Sequence, residues 1–130
     1  MIVVDSSAVV DALTGRSADP RLAARLTAER LHAPYLLDVE VMHAVRGLVR
    51  RRVLGANRAA DAWRDYLVLR LTRYPHLPLL ERIWQLRDSL SAYDAAFVAL
   101  AELLEAPLVT CDARLAAAAG HQARVELYGP

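Results

Sequence analysis

The sequence contains no lysine: all 16 of its basic residues are arginine. A P-loop needs a lysine for its phosphates and a Schiff-base enzyme needs an amine, so both chemistries are excluded. There is no G-x-G-x-x-G fingerprint either, which closes the dinucleotide-binding route. The single cysteine, Cys111, rules out an internal disulfide framework and makes a cytoplasmic setting the default expectation. With no histidine nearby to activate it, Cys111 reads as a small buried hydrophobe. No apolar run approaches the roughly 18 residues that span a bilayer, so no membrane role is expected. The opening Met1-Ile2-Val3-Val4-Asp5 lacks a basic region and meets an acid at once, unlike a signal peptide. Net charge is only +1, so composition does not announce a nucleic-acid binder.

What is present is material for one core. The chain has 130 residues, 55% of them hydrophobic, which predicts a single domain over residues 1–130. Short β-type runs alternate with longer helical patterns, the signature of an α/β fold with a central, mainly parallel sheet flanked by helices. Ile2-Val3-Val4 and Leu108-Val109-Thr110 read as strands buried on both faces, His32-Ala33-Pro34 as extended, and Val125-Glu126-Leu127 as the closing strand. The first helix covers Ala8 to Leu13 and stops at Gly15, and the second runs from an Asp19 cap to about Arg30. Further helices are expected over Asp38–Arg52, Asn57–Leu71 with Asn57 as cap, Leu79–Asp88 and Ala92–Leu104. A last, alanine-rich helix is capped by Asp112 and ends at Gly120. The two prolines between Tyr74 and Leu80 leave room only for a short or edge strand there.

Four carboxylates interrupt these apolar segments. Asp5 follows the first strand and Asp112 follows Leu108-Val109-Thr110-Cys111, so both would emerge at the carboxyl ends of parallel strands, where open α/β sheets place their ligand crevices. Glu40 lies in the first turns of its helix beside the apolar stripe. Asp94 sits near the amino end of the most apolar helix, opened by Ser91. Each acid also has a structural alternative as a helix cap or a favourable first-turn acid. Jointly those alternatives weaken, because carboxylates side by side raise one another's pKa and cost stability without compensation. An oxygen-only ligand set, without thiolate or imidazole, suits Mg²⁺ or Mn²⁺ better than zinc.

In order along the chain, Ile2-Val3-Val4-Asp5-Ser6-Ser7-Ala8-Val9-Val10, Ala33-Pro34-Tyr35-Leu36-Leu37-Asp38-Val39-Glu40-Val41, Ser91-Ala92-Tyr93-Asp94-Ala95-Ala96-Phe97-Val98-Ala99-Leu100-Ala101 and Leu108-Val109-Thr110-Cys111-Asp112 resemble the four acidic motifs of PIN-domain nucleases. The likeness is greatest to VapC, the toxin of prokaryotic VapBC toxin–antitoxin pairs, and it covers essentially the whole chain. The resemblance implies a PIN-like fold and a metal-dependent endoribonuclease that uses Mg²⁺ (or Mn²⁺). It assigns Asp5, Glu40, Asp94 and Asp112 to metal binding and catalysis. Thr110, and Ser6 or Ser7, would support them from behind. Water activated by metal would attack the phosphodiester in line, leaving a 3′-hydroxyl and a 5′-phosphate. The resemblance further implies structured RNA as substrate, transfer RNA most often, a homodimer, and a VapB-type antitoxin seated on an apolar groove.

An acidic pocket repels RNA unless cations hold the backbone nearby. Arg46, Arg50, Arg51 and Arg52 follow Glu40 on the same helix and are the substrate-binding candidates, Arg46 and Arg50 foremost because they share a face at i, i+4 spacing, with Arg87 a weaker one. His43, one turn from Glu40, is a further residue within reach. Two rival readings remain. A haloacid-dehalogenase-type phosphatase also begins from a strand-end aspartate, but it wants an acid where Ser7 stands, and a lysine. A degenerate PIN domain serving as a binding module would have lost an acid, whereas all four are present.

Overall fold

The computed structural model describes residues 1–16 and 19–129. Five strands form one sheet: β1 (Ile2–Val4), β2 (Leu31–Pro34), β3 (Leu71–Tyr74), β4 (Leu108–Thr110) and β5 (Val125–Leu127), in the order β3-β2-β1-β4-β5. All four strand pairings are parallel. The α/β expectation therefore holds. The helices are α1 (Ser6–Thr14), α2 (Arg21–Ala28), α3 (Leu36–Arg50), α4 (Ala56–Leu67), α5 (Leu80–Gln85), α6 (Ala92–Leu104) and α7 (Ala113–Ala117).

The reason for this order lies in the apolar runs. Ile2, Val3 and Val4 are fully buried, as a strand must be when helices cover both of its faces, and β1 takes the central place between β2 and β4. Helices α1, α3 and α4 pack together as one group and α5 with α6 as another, while α6 also lies across β1 and β2. Seven consecutive residues of α6, Ala95 to Ala101, are buried. Phe97, the chain's one phenylalanine, is among them at 1% exposure. A helix apolar all round belongs inside, and its alanines let it approach the sheet closely.

Several boundaries differ from the sequence-based expectations. Helix α4 is capped by Gly55, with Asn57 inside the first turn, and it stops at Leu67 rather than Leu71. Residues 71–74 pair with β2 instead, where Arg70 O accepts from Leu31 N and Tyr74 O accepts from Tyr35 N. Leu69 and Leu71 are partly buried against the core, and pairing with β2, distant in sequence, decides the conformation of this segment. The strand ends immediately before Pro75 and is an edge strand. Helix α3 begins at Leu36, two residues before Asp38, α5 ends at Gln85 rather than Asp88, and α7 ends at Ala117 rather than Gly120.

Helix α6 closes on Glu105 in the left-handed conformation, with φ of 51°. That conformation costs an L-residue roughly 1–2 kcal/mol and glycine nothing comparable. Glu105→Gly is therefore expected to stabilise the fold by about 0.5–1 kcal/mol after glycine's entropic cost, read as a higher melting temperature by calorimetry.

Candidate active site

The strand order reverses its direction of growth between β1 and β4, and the crevice of an open parallel sheet opens outside the carboxyl ends of the strands at that point. Asp5 follows β1 directly and Asp112 lies two residues beyond β4, so the two acids flank the crevice. Glu40 comes from the second turn of α3, which follows β2, and Asp94 from the first turn of α6.

Asp5 is the most confined of the four, 6% exposed. It caps α1, with Oδ1 accepting from Ala8 N at 3.0 Å and from Ser7 Oγ at 2.8 Å. Oδ2 accepts from Thr110 Oγ1 at 2.5 Å. The network continues behind it: Ser7 Oγ accepts from Cys111 N at 2.9 Å, and Thr110 Oγ1 accepts from Asp112 N at 3.0 Å. Burial pushes the Asp5 carboxyl above its ordinary range, and these hydrogen bonds hold it back only in part. Thr110 is thus a hydrogen-bond partner of Asp5 and of the Asp112 backbone. Of the two serines considered, Ser7 joins the Asp5 network, whereas Ser6 interacts with Glu40.

Glu40 and Asp94 are also raised, in each case chiefly by burial. The negative charges of Asp94 and Asp5 add to the shift at Glu40, and that of Asp112 adds at Asp94. The four carboxylates therefore feel one another. Asp112 departs from the pattern. Burial pushes it up, but the Arg114 side chain and backbone N–H outweigh burial and hold it below the usual carboxylate range. The guanidinium lies 3.3 Å from Asp112 Oδ2 and also lowers Asp94. Arg114 was not singled out from the sequence. Its signal was its place two residues after Asp112, on the helix that Asp112 caps.

Among the described residues no three His, Cys, Asp or Glu side chains converge into a ready-made metal cluster. The donor set nevertheless fits a hard divalent cation, and one atom asks for a partner: Glu40 Oε1 is buried without a hydrogen-bond partner among the described residues, although the Ser6 side chain holds the carboxyl back in part. A buried, unpaired carboxylate oxygen beside two like charges is costly in a protein that gains nothing from it. Asp112, already engaged by Arg114, fits the ion least well.

Arg46 and Arg50 are exposed, and neither lines a hollow at this site. His43 does, in a hollow of about 640 Å³ that also includes Ser6, Leu36, Val39, Glu40 and Tyr93. Cys111 is half-buried, with its thiol pushed up to about 12 by burial first and by Asp11 second, so it is an inert thiol.

The family model for the PIN domain matches residues 2–121. The chain belongs to the PIN-domain family. Its likeness to VapC holds as well. It is 49% identical over 118 residues, 88% of each chain, to a VapC ribonuclease of Mycobacterium bovis. Ribonuclease VapC12 of Mycobacterium tuberculosis is 42% identical over 127 residues, 98% of each chain. Among solved structures, VapBC2 of Rickettsia felis, bound to a DNA fragment from its promoter, shares the fold. Its TM-score is 0.69 at 14% identity, covering 98% of this chain and 99% of that one. This is a VapC-type PIN domain.

Proposed function

We propose that this PIN domain is a divalent-metal-dependent endoribonuclease acting on structured RNA, with transfer RNA the expected class. In this reading it is the toxin of a pair, a homodimer restrained by a VapB-type protein antitoxin. The unpartnered Oε1 of Glu40, buried beside two other raised carboxylates, carries the catalytic part of the proposal. The names of the M. bovis and M. tuberculosis relatives support ribonuclease chemistry, and the R. felis VapBC2 structure supports a paired antitoxin.

Asp5, Glu40 and Asp94 would hold Mg²⁺ or Mn²⁺, with Asp112 joining them when Arg114 yields. Bound there, the ion supplies Lewis-acid polarisation of a phosphodiester and a lowered pKa for bound water. The chain does the rest. Thr110 and Ser7 hold Asp5 in one orientation, so its carboxylate meets substrate already positioned. Arg114 offsets negative charge at the mouth of the pocket, where a phosphate must enter. Among the described residues no serine or cysteine is hydrogen-bonded to a histidine, which favours attack by water over a covalent intermediate.

The test compares the purified chain with its Asp5→Asn and Asp94→Asn variants on total RNA in Mg²⁺, Mn²⁺ or EDTA. The expected result is discrete cuts that require metal and disappear in both variants while their circular dichroism stays native. Cutting that persists in EDTA or in the variants overturns the mechanism. If the folded chain cuts nothing under any condition but retains RNA, the binding-module reading takes its place.

A further inference from the structure

A second hollow, of about 400 Å³, lies between α1 and α3 and adjoins the one that Glu40 lines; the two share Ser6, His43 and Ala44. Together they form one groove that starts at Glu40 and Tyr93 and runs along α3 to Arg51 and, from the end of α1, Arg16. At 1.5 Å per residue, Glu40 and Arg51 stand about 16 Å apart along the α3 axis. Eleven residues is close to three whole turns, so both lie on the same side of the helix, the side that faces α1.

Two features set the far end of this groove, lined by Arg16, Arg51 and one acid, Asp11, apart from ordinary surface. Neither guanidinium, Arg16 nor Arg51, enters an ion pair or side-chain hydrogen bond among the described residues. By contrast Arg25, Arg73, Arg82 and Arg114 are each bound to a carboxylate. The second feature is Gly47. A Cβ at this position would stand 3.0 Å from Arg51 Nη1, so the absence of a side chain is what lets the Arg51 guanidinium lie back along α3 within the groove. A helix-interior glycine carries a propensity cost, and here it opens the space that an arginine fills.

We infer that Arg51 and Arg16, with His43 between them and the carboxylates, hold a backbone phosphate of the RNA several nucleotides away from the scissile one. This inference rests on the nuclease reading and adds to it the direction in which the strand lies. Arginine's fork suits phosphate oxygens, and a cation placed away from the acids offsets their repulsion of the strand without neutralising the metal-binding group. Arg51 is in this view a positioning residue. Arg46 and Arg50, which line neither hollow, take no part.

The experiment reads binding apart from cleavage. In a Glu40→Gln background, where one repelling charge is gone and cutting is blocked, a fluorescein-labelled poly(U) oligonucleotide is titrated by anisotropy. Arg51→Ala is expected to weaken binding about tenfold and to flatten the slope of log affinity against log salt by roughly 0.7. Gly47→Ala, which pushes the guanidinium aside, is expected to weaken it severalfold while the melting temperature holds or rises. Arg51→Lys recovers part of the loss, and Arg46→Ala and Arg50→Ala match the parent. With Glu40 intact, Arg51→Ala raises KM on RNA with little change in kcat. The inference is overturned if Arg51→Ala and Gly47→Ala bind like the parent, if Arg46→Ala and Arg50→Ala weaken binding equally, or if the parent does not bind the probe. Salt-sensitive binding through Arg51 with no cleavage in any metal keeps the phosphate arm and refutes the nuclease. Metal-dependent cleavage indifferent to Arg51 does the reverse.

Discussion

Glu40→Gln is expected to make the metal-free protein more stable at neutral pH and about a thousandfold slower at cutting RNA. Both effects come from one atom. Glu40 Oε1 is buried without a partner, and burial, together with the charges of Asp94 and Asp5, raises its carboxyl in the folded state. A carboxyl raised on folding releases its proton less readily in the native protein than in the unfolded chain. Its contribution to stability is fully present below the unfolded value, near 4.5, and is lost as pH rises through the folded value. At pH 7 the native state thus carries a penalty that glutamine does not. With Glu40 partly exposed to solvent, that penalty is on the order of 1 kcal/mol, or roughly 3–5 °C in melting temperature. The gap between variant and parent should close as pH falls toward 4. Loss of a metal-holding oxygen removes several kcal/mol of transition-state stabilisation, hence the thousandfold. Thermal melts across pH with and without Mg²⁺ check the account: Mg²⁺ should raise the parent's melting temperature at pH 7 and leave the variant's nearly unmoved. A destabilised glutamine variant, or one that cuts normally, sinks it.

Thr110→Val should cost about 2–3 kcal/mol and shift the pH dependence of cleavage. Valine nearly matches threonine in shape, so packing is kept and the hydroxyl alone is removed. That hydroxyl is fully buried, donates to Asp5 and accepts from Asp112 N, so its loss leaves a carboxylate oxygen and a backbone N–H without partners. The sign for Asp5 is definite. The Thr110 bond lowers its carboxyl against the upward push of burial, so without it the folded value rises further. Less Asp5 is then ionised at a given pH, and the acid limb of the pH–rate profile moves to higher pH. The stability deficit should be greatest near neutrality and shrink as pH falls toward the unfolded value of 3.8, below which Asp5 is protonated folded or unfolded. Urea titrations at the two pH values, with initial rates across pH, decide it. An unshifted acid limb would show that Thr110 only fills space.

Much of this molecule is legible before any coordinates. The runs at Ile2–Val4 and Leu108–Thr110 are wholly apolar because helices cover both of their faces, and each ends near a carboxylate. Once such strands are parallel, Asp5 and Asp112 must share an edge of the sheet. Ser91 and Asp94 likewise announce the start of α6, where Ser91 Oγ accepts from Asp94 N. Local chemistry of this kind, in caps and buried runs, acts over a few residues and can be read directly. Residues 71–74 could not be read so, because the strand they pair with, β2, lies some 40 residues earlier.

The sequence by itself determined the α/β class, the four acids and the lack of any lysine or thiol chemistry, since residue type and near-neighbour spacing carry all three. Tertiary structure decided how those acids differ. Burial isolates Glu40 Oε1, Thr110 and Ser7 lock Asp5, and Arg114 draws Asp112 aside. It also decided which arginines line the hollow between α1 and α3: Arg51, lying over Gly47, and Arg16. Desolvation and hydrogen bonding depend on what stands within a few ångströms in space. Chain order brings Thr110 to Asp5 only after the sheet has formed, across 105 residues of sequence.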